Sequence, residues 1–286
     1  IEMNLTYGNQ TIQFYDNIKQ LVETSPYKER CLKDIDFDED FLPKRIVVSL
    51  SGGCDSSSAM YLTAKHFPQI EIHPITFRDV NAPKDTDAAI ELVKIMKKRV
   101  PNAKIDDCEV GTYNDQDTAT YPKAINMIEN DPRYKTMTIV QMSKVNQLDE
   151  GNEKFMKNFK GPIRLDGMTA NPPKDVRMKF GEYMIKRFPE HNYTEKDIVR
   201  VTGEPRRDVH NKPELRYNVY QPFLNVNKRF VAGIFKEEGL MDNMFPITRS
   251  CVGSARQTKN FEAWCWQCFW CYEKAWAFNL PHTHMA

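Results

Sequence analysis

At 286 residues the chain can hold one large domain, or one domain with a smaller appendage. Hydrophobic residues make up 41% and charged residues 28%, an ordinary globular composition. With 40 Lys plus Arg against 39 Asp plus Glu there is no global basic field for nucleic acid, although a local patch stays open. No run approaches the roughly 18 apolar residues of a membrane helix, and no charged-then-apolar leader opens the chain, so a soluble, cytoplasmic protein is expected.

Residues 11–24 carry Ile12, Phe14, Tyr15, Ile18 and Leu21 at roughly helical spacing, which predicts an amphipathic helix. The acidic stretch 34–40 reads as a solvated connection. Residues 45–50, Arg-Ile-Val-Val-Ser-Leu, suit a buried strand. Ser51-Gly52-Gly53-Cys54-Asp55-Ser56 reads as a turn, and residues 57–67 as a helix. A second strand follows at 70–77, where Pro74 marks an irregularity. Residues 87–100 form a helix stopped by Pro101, 104–110 a third strand and 163–167 a fourth. Strands and helices alternating in this way imply βαβ units and a parallel sheet, hence a Rossmann-like α/β layer sandwich. The polar, Met-rich segment 112–160 is expected to be helical and to cover the active site. Pro172, Pro173, Pro205, Pro213 and Pro222 imply loops around a helix near 176–188. A final helix is expected over 228–238, with Gly239 as its C-cap.

The Ser51–Ser56 string between a strand and a helix is the strongest chemical signal. Glycines let the backbone turn tightly and approach a ligand without a Cβ in the way. Successive N–H groups then converge into an anion nest, and the helix N-terminus adds its positive end. Ser51 and Ser56 can donate to phosphate oxygens. Asp55 beside a polyphosphate makes sense with Mg²⁺ between them, and Asp55→Ala is then expected to cut turnover while leaving the fold intact. A serine-capped turn is the plainer alternative, but the whole string after a buried strand favours phosphate binding. No Gly-x-x-x-x-Gly-Lys-Ser/Thr sequence is present, so this is not a Walker-type loop.

Of seven cysteines, Cys251, Cys265, Cys268 and Cys271 fall in one stretch near the C-terminus. In a reducing compartment such a cluster reads as metal ligands before disulfides. Four thiolates satisfy tetrahedral Zn²⁺ with no open position, which marks a structural site. An iron–sulfur cluster is the rival, but a ferredoxin-type run would place its next Cys downstream and before Pro. The aromatics around it, among them Phe261, Trp264, Trp266, Phe269 and Trp270, are read as packing for a small metal-stapled element rather than base-stacking platforms.

Ser51–Ser56 resembles the PP-loop of the N-type ATP pyrophosphatases, a superfamily that includes GMP synthetase, asparagine synthetase, tRNA thiolases and phosphoadenylyl-sulfate reductases. Thr248-Arg249-Ser250-Cys251, the three-cysteine run and Tyr272-Glu273-Lys274-Ala275-Trp276-Ala277-Phe278 resemble the end of 7-cyano-7-deazaguanine synthases (QueC-like proteins). Pro222-Phe223-Leu224 and a helix opened by Lys228 are similar to the same family. Trp266 stands where that family has Gly, Lys274 where it usually has Arg, and Phe77-Arg78-Asp79 where it has Tyr-Gly-Gln.

The resemblance implies a PP-loop (adenine nucleotide alpha hydrolase-like) fold with a C-terminal zinc knuckle. It implies an ATP-dependent ligase that forms AMP and pyrophosphate, adenylates a carboxylate and admits ammonia. The expected reaction takes 7-carboxy-7-deazaguanine to its amide or nitrile, a queuosine-pathway step. The expected division is an N-terminal helical extension (1–42), an ATP-binding α/β domain (43–245) and a zinc-binding segment (246–286). ATP is assigned to Ser49, Ser51, Gly52, Gly53, Asp55, Ser56 and Phe77, and catalysis to Asp55, Ser56 and Lys228. Substrate is assigned to Asp166, Gly167 and Asn171, placed after the fourth strand because open α/β sheets bind ligands at the strands' C-terminal ends. The metal ligands are Cys251, Cys265, Cys268 and Cys271, and the cofactors ATP, Mg²⁺ and Zn²⁺. The expected partners are a small-molecule carboxylate and ammonia, with no membrane, nucleic acid disfavoured and a homodimer left open. A sulfurtransferase or adenylyl-sulfate reductase is the alternative within the superfamily. It would need a reactive cysteine near the loop, where Cys54 reads as structural filler. A zinc-knuckle nucleic-acid binder is the alternative of another class.

Overall fold

The computed structural model describes residues 3–25, 28–78, 83–112, 163–187, 189, 214–216, 219–251, 256–266 and 268–281. Packing divides the chain into two units. The first comprises residues 1–112, 152–170 and 207–250, and the second residues 113–151, 171–206 and 251–286.

The first unit opens with an antiparallel hairpin, β1 (Asn4–Tyr7) and β2 (Gln10–Gln13). Gly8 and Asn9 turn it, both left-handed at φ 53° and 62°, the geometry a two-residue hairpin favours. This corrects the single helix expected over 11–24. Ile12, Phe14, Tyr15 and Ile18 are all buried as the spacing implied. Tyr15, however, sits at φ 63°, which no α-helix tolerates, so strand β2 ends first and α1 (Ile18–Thr24) starts afresh. A second short helix, α2 (Lys28–Asp34), precedes the acidic stretch. There the Asp38 carboxylate accepts from Asp40 N (3.0 Å) and Leu42 N (2.8 Å), folding a turn instead of a loose connection.

Among the described residues seven strands form the main sheet, in the order β5-β4-β3-β7-β9-β8, with β6 also paired to β4. They are β3 (Arg45–Ser49), β4 (Glu71–Arg78), β5 (Lys104–Ile105), β6 (Glu109–Thr112), β7 (Ile163–Leu165), β8 (Glu214–Arg216) and β9 (Val219–Gln221). All pairs are parallel except β8 with β9. The third expected strand is thus two. Ile72 pairs with Ile105, but Ile75 pairs with Glu109, so the register slips by one residue between them. Pro74 explains the slip. Ile72 O accepts from Asp106 N and Ile75 O from Leu50 N, so alternate residues of β4 face opposite neighbours and Pro74 shares the side of Ile72. Its missing N–H therefore falls where the ladder is broken.

Helices α3 (Cys54–His66) and α4 (Pro83–Arg99) follow β3 and β4, and α6 (Lys228–Glu237) follows β9. The chain steps outward from β3 to β4 and β5/β6, then returns to β7 on the other side of β3. The switch point of this sheet therefore lies between β3 and β7. Ligands of open α/β sheets bind there, beyond the strands' C-terminal ends.

The second unit contains α5 (Lys174–Arg187) and α7 (Phe269–Phe278). They meet through Val176, Phe180, Phe269 and Tyr272, with Phe180 and Tyr272 rings 4.9 Å apart. Residues 113–160, expected to be helical, lie outside the described residues, as do Pro205 and Pro213. Among the described residues no helix is long and apolar enough to cross a membrane.

Candidate functional site

The loop after β3 occupies the switch point. Ser49 ends the strand, Ser51 Oγ accepts from Gly53 N at 3.4 Å, and Gly53 is the N-cap of α3. Gly52 has φ 76°, and a Cβ there would lie 2.6 Å from Asp85 O in the first turn of α4. Only glycine fits both demands. A Cβ on Gly53 would stand 3.1 Å from Arg249 O, and Arg249 N donates to Gly52 O at 2.7 Å. Thr248-Arg249-Ser250, distant in sequence, thus braces the loop from outside.

The α3 N-terminus presents N–H groups without intrahelical partners. Asp55 and Ser56 lie in its first turn. Ser56 Oγ is buried with no hydrogen-bond partner, a cost of about 1–3 kcal/mol that a structural turn has no reason to carry. A phosphate oxygen would satisfy it. The glycine cradle, the helix N-terminus and this hydroxyl together fit a polyphosphate.

Lys228 Nζ lies 2.9 Å from Asp55 Oδ2, with side-chain exposures of 1% and 27%. Asp55 therefore has a protein cation as counter-charge in this structure. Cys54 beside it is fully buried, with Sγ donating to Asp55 Oδ1 at 3.7 Å and 4.0 Å from Ser250 Oγ. Phe77 sits near the C-terminal end of β4, paired with Gly111.

The loop after β7 approaches the same helix. A Cβ on Gly167 would collide with Asp55 O and lie 2.9 Å from Ser56 N, so Gly167 is required for close packing against the phosphate loop. Asp166 accepts from Met168 N at 3.0 Å and from Gln221 Nε2 at 2.8 Å. Both its oxygens are engaged within the protein. Gln221, which the sequence reading missed, ends β9 with its Oε1 buried and unpartnered. An ionised carboxylate only accepts, so the Gln221 amino group must face Asp166 and the carbonyl must point away. No motif surrounds Gln221. Its position at a strand end beside β7 is the only signal, and it needs the strand order to be seen. Asp166 and Gly167 lie in the first unit with the loop residues, and Asn171, which is buried, is assigned to the second unit.

The four cysteines converge in the second unit. Cys251, Cys265, Cys268 and Cys271 place their sulfurs within 4.8 Å of one another, with Cys265 and Cys271 3.9 Å apart. Tetrahedral Zn²⁺ with Zn–S bonds of about 2.3 Å sets sulfurs about 3.8 Å apart, so the donor set fits zinc. Cys268 is the N-cap of α7 and Cys271 lies one turn on, so a single helix start delivers two ligands on one face. Cys265 N donates to Cys251 Sγ at 3.2 Å, a bond that favours a thiolate. A hydrogen bond with Cys265 pushes the Cys251 thiol up, yet bonds from Cys268 and Cys271 bring it down to about 7. Cys268 and Cys271 are pushed up, first by their hydrogen bonds with Cys251 and Cys265. Four ionised thiols cannot share this space without a cation. Trp266 within the run has φ 57°, the conformation that explains a glycine at this place in the resembled family. Lys274 Nζ sits 4.2 Å over the Trp264 ring.

No curated protein matches the chain. A family model does: NAD synthase matches residues 16–159, half of the chain, including β3, the phosphate loop, α3, β4 and α4. With the parallel sheet and the loop at its switch point already established, the chain belongs to the NAD synthase family, within the PP-loop superfamily of enzymes that use ATP for adenylation and amidation.

Proposed function

We propose that the chain adenylates a small-molecule carboxylate with ATP and then joins it to ammonia, most closely as 7-cyano-7-deazaguanine synthases do. The phosphate loop with its partnerless Ser56 Oγ and the adjoining Lys228–Asp55 pair is the observation that carries this reading. The resemblance of residues 220–278 to deazaguanine synthases, outside the residues matched by the family model, turns it away from NAD formation.

A carboxylate oxygen attacks the α-phosphorus, and the bond from that phosphorus to the bridging oxygen breaks. Pyrophosphate leaves with the electron pair. Backbone N–H groups of the loop, Ser51 and Ser56 hold the departing phosphates, and Lys228 neutralises charge as it develops. Mg²⁺ held by Asp55 would supply further neutralisation. Ammonia then attacks the acyl carbon, AMP leaves, and a proton passes to solvent to give the amide. A second adenylation, on the amide oxygen, releases pyrophosphate and one proton from the amide nitrogen, and loss of AMP with the remaining N–H proton then gives the nitrile. Gln221 Oε1 offers an acceptor for a substrate N–H, oriented by Asp166. Zinc on the four cysteines would be structural. The burial of Cys54 speaks against sulfur transfer through it.

The test is incubation with Mg-ATP and deazapurine acids, with and without ammonium, followed by chromatography of all products. AMP, pyrophosphate and an ammonium-dependent amide or nitrile are expected. ADP and phosphate would sink the PP-loop reading, whereas AMP released only with a different acid, or with NAD as product, would move the substrate and keep the chemistry.

A further inference from the structure

We propose that Gln10 is a positioning residue for Lys228, acting from the N-terminal hairpin through the N-cap of α6. This rests on the reading of Lys228 as a residue of the ATP site. The hairpin and α6 both lie outside the residues matched by the family model.

Asn227 is the residue immediately before Lys228. It has φ −93° and ψ 179°, and its Oδ1 accepts from Arg229 N at 3.0 Å, capping the helix. Gln10 engages both polar edges of that cap. Its Oε1 accepts from Asn227 N at 2.9 Å, and its Nε2 donates to Asn227 Oδ1 at 3.1 Å. The two amide orientations are fixed by backbone donors of known identity, Asn227 N and Arg229 N, so neither side chain can be flipped without losing a bond. Asn225 Nδ2 donates to Thr11 O at 3.2 Å and fastens the same turn.

The hairpin also lies along the helix. A Cβ on Gly8 would stand 2.5 Å from Arg229 O, and one on Gly233 would collide with Gly8 N. At the far end Tyr7 OH donates to Glu238 Oε1 at 2.6 Å and Gly8 N to Glu237 Oε1 at 3.0 Å. Helix ends fray unless capped. Lys228 is the first residue of α6, so fraying there moves it directly. The two Gln10 bonds fix Asn227, the residue before Lys228, and the Asn227 side chain in turn accepts from Arg229 N, the residue after it, so that the cap holds the Lys228 ammonium at Asp55.

A double-mutant cycle decides, with affinity for Mg-α,β-methylene-ATP measured by calorimetry in wild type, Gln10→Ala, Lys228→Ala and the double variant. Gln10→Ala is expected to weaken binding about tenfold, within the range for coupled residues, and to have no further effect once Lys228 is absent. Gln10→Glu keeps the acceptor and loses the donor, so it folds with the same hairpin and shows a smaller loss. Tyr7→Phe, at the other end of α6, is expected to lower Tm without changing nucleotide affinity. Equal losses for Gln10→Ala with and without Lys228, or no loss at all, overturn the proposal. Unchanged affinity in Lys228→Ala instead overturns the placing of Lys228 at the nucleotide, a separate and recognisable result.

Discussion

A lysine ammonium shut away from solvent at the first residue of a helix is opposed twice, by desolvation and by the positive end of the helix dipole. Lys228 is in that position, and Asp55 is what offsets it. Removing the carboxylate therefore does more than unload a phosphate site. Asp55→Ala is expected to cost stability toward the lower end of about 3–5 kcal/mol, because Asp55 keeps 27% exposure, as well as about 10²–10³ in turnover. The unperturbed fold expected from the sequence for that variant did not allow for a buried partner. Asp55→Ala with Lys228→Met removes both charges, so chemical denaturation is expected to show recovered stability while turnover stays lost. Recovered turnover would make the pair purely structural. Trp266 gives a second test at this scale. At φ 57° a Cβ is opposed by about 1 kcal/mol or somewhat more. Trp266→Gly is therefore expected to be more stable than Trp266→Ala by about that amount, read as a difference in Tm. The loop, Lys228 and the four cysteines were legible because each stands in a motif. Gln221 and the double engagement of Asp166 were not, because they depend on which strands lie side by side.

The hairpin shows what single-element reasoning misses and why. Apolar residues between 11 and 24 match a helical spacing and are buried, yet Tyr15 turns left-handed and divides them between a strand and a helix. The signal was present in Gly8-Asn9, a two-residue hairpin turn between short alternating runs. The strand–helix alternation from 45 to 110 was legible because β3, α3, β4 and α4 are each continuous, and Pro74 announced the break that divides the strand expected over 104–110. A pH test belongs to the hairpin's anchor. Burial pushes the Glu238 carboxyl up, but hydrogen bonds from Lys65, Tyr7 and Tyr61 outweigh it and hold the group below its ordinary 4.5. A depressed carboxyl contributes stability above its ordinary pKa and loses it as pH falls through the folded value. The Tm advantage of wild type over Glu238→Gln is thus expected at neutral pH and to shrink below about pH 4.5. A difference independent of pH would mean that the charge on Glu238 adds nothing.

At the scale of the whole chain, the two chemical signatures fall in different units: the phosphate loop in the first and the cysteine cluster in the second. The first has a sheet whose central strand β3 buries Ile46, Val47 and Val48 completely. Among the described residues the second has two helices meeting over a few aromatic side chains, and small elements of this kind need a metal or covalent staple. Removal of the metal is therefore expected to act on stability and not on phosphate chemistry. Cys268→Ser takes away a ligand at the start of α7 and leaves three thiols that hold zinc poorly. Its zinc content is expected to fall well below one per chain, with a lower Tm and increased proteolysis between residues 256 and 281. The fraction that remains folded is expected to keep AMP as its nucleotide product, since no cysteine of the cluster belongs to the unit holding the loop. Elemental analysis of the wild type supplies the reference, where one zinc per chain and a colourless protein are expected. Iron and sulfide in its place, with visible absorbance lost in Cys268→Ser, would replace the structural staple by a redox cluster and bring the sulfur-transferring relatives forward.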